Sequence, residues 1–152
     1  MSRTKIAALV VALLGVGFFA GVSAQTAKRF VNPRAAADAT LPPFSGAVVV
    51  GNTMYLSGAL GLEPGNKPPA TVEAEATNVL TNIQNTLKQG GMTMDDLVYV
   101  QIFCADVANY DAFNKVYRTF FKKEFPARAF LGSGTLLFGA RFEVQGIAVT
   151  AK

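Results

Sequence analysis

The clearest periodic pattern runs from Val72 to Gln89. Ala76, Val79, Leu80, Ile83 and Leu87 recur at the spacing of one helical face. Thr71 stands where a cap is needed, Glu73 and Glu75 suit the positive N-terminal end, and Gly90-Gly91 ends the helix. A second helix is predicted from about Tyr110 to Lys123. Its apolar stripe is Tyr110, Phe113, Tyr117, Phe120 and Phe121, Asn109 is its candidate cap, and Pro126 forbids continuation. Strand patterns surround these helices. "AVVVGNTMYLSG" (Ala47–Gly58) holds two β-rich runs about Gly51-Asn52, a hairpin signal. "LVYVQIFCAD" (Leu97–Asp106) is apolar on both faces and reads as a central strand. Another strand begins near Arg128, and the last is "RFEVQGIAVT" (Arg141–Thr150).

The predicted order is β-β-α-β-α-β-β. A mixed β-sheet with two helices packed on one face accounts for it, an α+β sandwich of two layers. The other sheet face keeps apolar side chains, which a further copy of the chain would bury. Leu62–Thr71 carries three prolines and reads as a loop. Gln25–Thr40 has no sustained period and reads as an extended or loosely ordered lead-in, so the domain is expected over residues 41–152.

Residues 1–24 look like an address. Arg3 and Lys5 precede an uncharged, mostly apolar run from Ile6 to Val22, and Val22-Ser23-Ala24 offers small residues at a cleavage site before Gln25. This predicts a secretory signal peptide and a periplasmic or secreted protein with no stable membrane contact after cleavage. An uncleaved anchor is the rival reading. The chain has 152 residues, enough for one domain, and a formal charge of +4. Loss of residues 1–24 takes two of the 14 basic residues and leaves +2. The remaining cations are scattered, with no run longer than Lys122-Lys123, so no nucleic-acid footprint is expected.

Composition narrows the chemistry. The chain contains no histidine, which removes the commonest general base and metal ligand and excludes a Ser-His-Asp triad. Its one cysteine, Cys104, permits neither an internal disulfide nor a cysteine metal cluster and is most simply a buried small hydrophobe. Arg128, in "FPARAFL", is the outstanding polar residue. A permanent cation at the start of an apolar strand needs an anionic partner: an internal carboxylate, another subunit or a ligand.

"LPPFSGAVVVGNTMYLSG", "NVLTNIQNTLKQGGMTMDDLVYVQIF", "FNKVYRTFFKKEFPAR" and "FEVQGIAV" occur in an order and spacing that resembles the Rid (reactive intermediate deaminase, RidA/YjgF) family, over roughly Leu41 to Val149. The resemblance implies a chorismate-mutase-like homotrimer with clefts between subunits. It also implies cofactor-free and metal-free hydrolysis of reactive enamines and imines, such as 2-aminoacrylate and 2-iminobutyrate, to 2-keto acids and ammonia. By the same resemblance Arg128 grips the substrate carboxylate, which suits a guanidinium fork better than an ammonium. Glu143 of "RFEVQG" would hold or deprotonate water and pass a proton to the leaving ammonia. Phe44, Ser57, Gly58, Asn114 and Phe130 match positions that line the cleft.

Four positions depart from the family pattern. Phe44 stands where a tyrosine is usual, and Phe130 replaces a small residue whose backbone N–H is used. "LLFG" (Leu136–Gly139) replaces an "LPKG"-like loop, and Gln145 replaces a second acid. They keep open a second reading, a trimer that binds a small carboxylate without turning it over. They also leave a third, a purely structural trimer. Each site residue has a plainer role as well: Arg128 as a trimer salt bridge, Glu143 as the partner of Arg128 or Arg141, Asn114 as a packing-compatible polar residue, and Ser57 as a strand-end hydrogen bonder.

Overall fold

The computed structural model describes residues 27–151; the signal segment and its cleavage site at Ala24-Gln25 lie outside the described residues. Six strands form one sheet: β1 (Lys28–Val31), β2 (Ala47–Val50), β3 (Thr53–Leu60), β4 (Leu97–Cys104), β5 (Ala127–Gly132) and β6 (Phe142–Val149). Their spatial order is β1-β2-β3-β6-β4-β5. β4 and β5 run parallel and the other neighbours antiparallel, so the sheet is mixed as expected. Helices α1 (Val72–Gln89) and α2 (Tyr110–Tyr117) complete the α+β architecture.

Helix α1 forms where its pattern predicts. Thr71 accepts a hydrogen bond from the Ala74 N–H, and Ala76, Val79, Leu80, Ile83 and Leu87 are all buried. They pack on the sheet face built from Met54, Leu56, Val100, Ile102, Val144 and Ala148. Cys104 lies in the same layer and burial pushes its thiol pKa up, in keeping with a packing role.

Three expectations are corrected. The lead-in contains a strand: β1 pairs antiparallel with β2, from Lys28↔Val50 to Val31↔Ala47. Only Val31 of its four residues is buried, so there was no period to read and backbone pairing defines the element. The α-helix of the second segment ends at Tyr117; a 3-10 turn covers Arg118–Phe120 and Phe121 is extended, short of Lys123. The Lys122 N–H instead donates to the Asp95 carboxylate, which draws the chain away. Asn109 makes no side-chain cap; Asp106 caps the preceding 3-10 turn by accepting from the Ala108 N–H.

The far face of the sheet carries Val48, Tyr55, Tyr99, Phe103 and Ile147, all half-buried or exposed in the single chain. β4 is therefore central in the sheet, but only its Val100, Ile102 and Cys104 face is covered by helices.

One buried acid ties the layers together. Glu75, in the first turn of α1, is fully buried. Its carboxylate accepts from the Arg141 guanidinium at 2.7 Å and from the N–H groups of Arg141 and Phe142. Arg141 also donates to the Pro69 carbonyl at 2.9 Å. Glu75 is the buried partner while the Arg141 side chain stays 30% exposed, so Glu75→Ala mainly leaves the Arg141 and Phe142 N–H groups without an acceptor and is expected to cost about 2 kcal/mol in urea unfolding. A loss below about 1 kcal/mol would show that the pair does not hold the layers together.

Candidate active site

Arg128 leaves β5 opposite Val100 of β4, and Glu143 leaves β6 opposite Phe103 of the same strand. Val100 is buried against the helices, whereas Phe103 points to the far face. Side chains alternate across a strand, so Arg128 and Glu143 lie on opposite faces of the sheet, with β4 between their strands. The chain thus presents two half-sites.

The first half-site surrounds Arg128. One guanidinium nitrogen donates to the Asn114 side-chain oxygen at 2.7 Å and another to the Tyr110 hydroxyl at 3.5 Å. The guanidinium carbon lies 4.8 Å from the Tyr117 ring centre and 5.8 Å from those of Tyr110 and Phe130. Tyr110, Asn114, Tyr117, Arg118, Phe125, Pro126 and Arg128 line an open cavity of about 210 Å³. Both acceptors are neutral, and the only salt bridge among the described residues is Glu75–Arg141. The Arg128 cation is thus oriented but not neutralised, with several of its five donors left for a ligand. Asn114 holds Arg128 in place, so its role is more than packing.

The second half-site surrounds Glu143. Between Leu56↔Gly146 and Ala59↔Val144 the β3–β6 register slips by one residue, which puts Ser57-Gly58 in a bulge opposite Gln145. A Cβ at Gly58 would run into the Glu143 carboxylate, so glycine leaves the space this side chain occupies. Glu143 pairs with neither Arg128 nor Arg141; Glu75 takes Arg141. The Ser57 hydroxyl donates to the Ser45 carbonyl at 2.7 Å, tying the bulge to the segment that carries Phe44. Phe44 is 54% exposed and shares a groove with Ser57. The Phe130 ring turns away from the Arg128 cavity and packs edge-on against Tyr110 at 5.0 Å and Phe113 at 5.7 Å.

Tyr110 and Tyr117 belong to the predicted apolar stripe, a pattern that implies core packing. Tyr117 is buried, but Tyr110 is 44% exposed and both contact Arg128. The signal was present: Tyr110, Asn114 and Tyr117 stand at i, i+4 and i+7, one polar-tipped face on α2.

Comparison with known proteins fixes the family. A family profile described as Endoribonuclease L-PSP matches residues 34–150. The chain belongs to the RidA/YjgF family. A goat protein named 2-iminobutanoate/2-iminopropanoate deaminase is 40% identical over 117 residues, covering 76% of this chain and 85% of the goat protein. The human protein of the same name is 33% identical over 123 residues, 80% and 90% of the two chains. A crystal structure of the Rid-family protein YyfA from Yersinia pestis is 31% identical, with a TM-score of 0.72, over 82% of this chain and 100% of that one. The Rid fold is therefore common to this chain and these relatives.

Tyr117 also carries a buried hydroxyl with no hydrogen-bond partner. Burial is the main cause that pushes its pKa up to about 12, and the Arg128 cation opposes the shift. A raised folded-state pKa keeps its full stability contribution below the unfolded value, near 10, and loses it as pH climbs to about 12. Tyr117→Phe should therefore match or exceed wild-type stability at pH 7 and flatten the loss between about pH 10 and 12. Urea midpoints across that range check this. Destabilisation of the variant by more than about 1 kcal/mol at pH 7 would mean that the hydroxyl has a partner.

Proposed function

We propose that this Rid-family chain is an exported imine and enamine deaminase, acting on 2-imino acids of the 2-aminoacrylate or 2-iminobutyrate type. The observation that carries the reading is Arg128: a half-buried guanidinium, aimed by Asn114 and Tyr110, beside a cavity and without a carboxylate partner among the described residues. The names of the goat and human relatives support the reaction class. The family description also mentions endoribonuclease, but a chain with no histidine lacks the usual acid–base pair for that chemistry, and its basic residues form no run longer than Lys122-Lys123.

In this reading Arg128 takes the substrate carboxylate through two parallel hydrogen bonds and fixes the imine carbon in place. Glu143 accepts a proton from water as its oxygen adds to that carbon. Addition to the protonated imine gives a neutral carbinolamine; Glu143 returns the proton to its nitrogen, and as the C–N bond breaks and ammonia leaves, the hydroxyl gives its proton back to Glu143 and the carbonyl forms. An enamine first takes a proton on its β-carbon to become the imine. No step needs a metal or redox group.

Opposite sheet faces keep Arg128 and Glu143 of one chain apart, so the reading includes a homotrimer whose sites take Arg128 from one subunit and Glu143 from its neighbour. The apolar far face of the sheet supports that assembly. The basic start, apolar run and small-residue site of residues 1–24 support export with removal before Gln25.

Two measurements test the proposal. Wild type should accelerate loss of 2-iminobutyrate, and Arg128→Lys should lower kcat/KM by about 100-fold with assembly intact, because a point charge cannot reproduce the fork. No acceleration by wild type would sink the deaminase and favour a trimer that only binds carboxylates. Co-refolding Arg128→Lys with Glu143→Gln in equal amounts should restore about a quarter of wild-type activity, since mixed trimers rebuild whole sites. No recovery in demonstrably mixed trimers would mean that each site comes from one chain.

A further inference from the structure

The cavity beside Arg128 has a second cation in its wall. Arg118 follows directly on α2, and its guanidinium carbon lies 5.7 Å from the centre of the Phe125 ring. Phe125 stacks at 6.1 Å and 24° against Tyr117, the ring on which Arg128 rests at 4.8 Å. The stacked pair thus carries one arginine on each ring, and both arginines face the same cavity. Among the described residues of the chain itself no aspartate or glutamate lines that cavity and neither arginine has a salt bridge, so the one acid the proposed trimer would bring there, the neighbour's Glu143, faces two cations. Two like charges beside apolar rings are unfavourable until anions arrive. One carboxylate answers Arg128 and leaves Arg118 unmatched.

We infer that, among imino acids, the site prefers a dianion to a monocarboxylate: a 2-imino or 2-oxo dicarboxylate whose first carboxylate meets Arg128 and whose distal carboxylate meets Arg118. The inference rests on the carboxylate grip proposed for Arg128, but not on turnover. The cavity, at about 210 Å³, lies below the 300–1,000 Å³ of sites for drug-sized ligands, which suits a short dicarboxylate better than a nucleotide. Arg118 is solvent-exposed and one edge of the cavity is open, so the distal contact is screened. Its expected effect is a preference of about fivefold, not several hundredfold. The reaction remains hydrolysis of the imine; the distal carboxylate is bound, not transformed. Such a substrate would come from two-electron oxidation of an acidic amino acid at its Cα–N bond, or from β-elimination on one that carries a β-leaving group.

The test is calorimetric titration of the full-length protein with 2-oxoglutarate and with 2-oxobutyrate in 0.1 M salt. Both probes are of the product type, so binding is read without turnover. Wild type should bind the dicarboxylate about fivefold more tightly. Arg118→Gln should bring the ratio of the two dissociation constants close to one, Arg118→Lys should retain part of the preference, and Arg128→Gln should weaken both ligands. Equal affinities in wild type, or a preference that survives Arg118→Gln, would overturn the inference. A dicarboxylate preference in a protein that hydrolyses no imine would uphold the inference while the deaminase reading falls.

Discussion

The buried Glu75–Arg141 pair is the constraint on which the position of the last strand depends. Glu75 anchors the first turn of α1, and its carboxylate holds both the side chain and the backbone at the entry to β6. Two residues further on is Glu143. α1 also grips the end of β3: Asn78 donates to the Gly61 carbonyl and Asn82 to that of Leu60. A Cβ at Gly61 would overlap the helix backbone at Glu75, so the close approach requires glycine. One helix therefore sets the ends of the two strands whose bulge makes room for the Glu143 carboxylate. A buried ion pair is a poor source of net stability compared with an apolar replacement. Its value here is positional, because a carboxylate that accepts from three donors fixes the register of what it holds.

The Arg128 half-site follows a different principle. Glu75 neutralises Arg141, whereas Asn114 and Tyr110 orient Arg128 without cancelling its charge. Neutral acceptors and ring faces can stabilise a guanidinium enough to keep it in one rotamer and still leave its affinity for an anion. Arg141 and Arg128 thus divide into a structural arginine with a carboxylate and a candidate binding one without. Sequence alone offered no way to tell which arginine Glu143 would choose. The structure answers that it chooses neither.

Elements with many buried side chains were legible in the sequence. α1 was read to its caps because five apolar residues repeat at helical period and Thr71 marks the start. β3, β4 and β6 were legible from their apolar content, and the mixed sheet followed. β1 was missed because it is held by backbone pairing, with three of four side chains exposed. The end of α2 was misplaced because a distant carboxylate, Asp95, competes for the chain at Lys122, and no local pattern reports that. Arg128 stands out from its own apolar surroundings, and Glu143, Asn114, Ser57 and Gly58 become candidates through the family resemblance. Their division between two sheet faces was not legible, because it depends on the β5 and β6 registers against β4. Glu75 was read as a helix-end charge; its burial reflects a partner 66 positions away.

The departures from the family pattern take on a definite physical meaning in this fold. Phe130 replaces a small residue, yet its ring does not enter the Arg128 cavity. It is absorbed edge-on between Tyr110 and Phe113, and its backbone position in β5, opposite Ile102, stays in register. The larger side chain therefore meets Arg128 in two ways: its own ring lies 5.8 Å from the guanidinium carbon, and it braces Tyr110, whose hydroxyl accepts from Arg128. Phe44 lies away from Arg128, exposed on the segment that Ser57 ties down, so the hydroxyl it lacks is not one that would meet the guanidinium of its own chain. The surroundings of Arg128 and those of Glu143 are thus built from separate parts of the fold, on opposite faces of the sheet, so a substitution can alter one without dismantling the other.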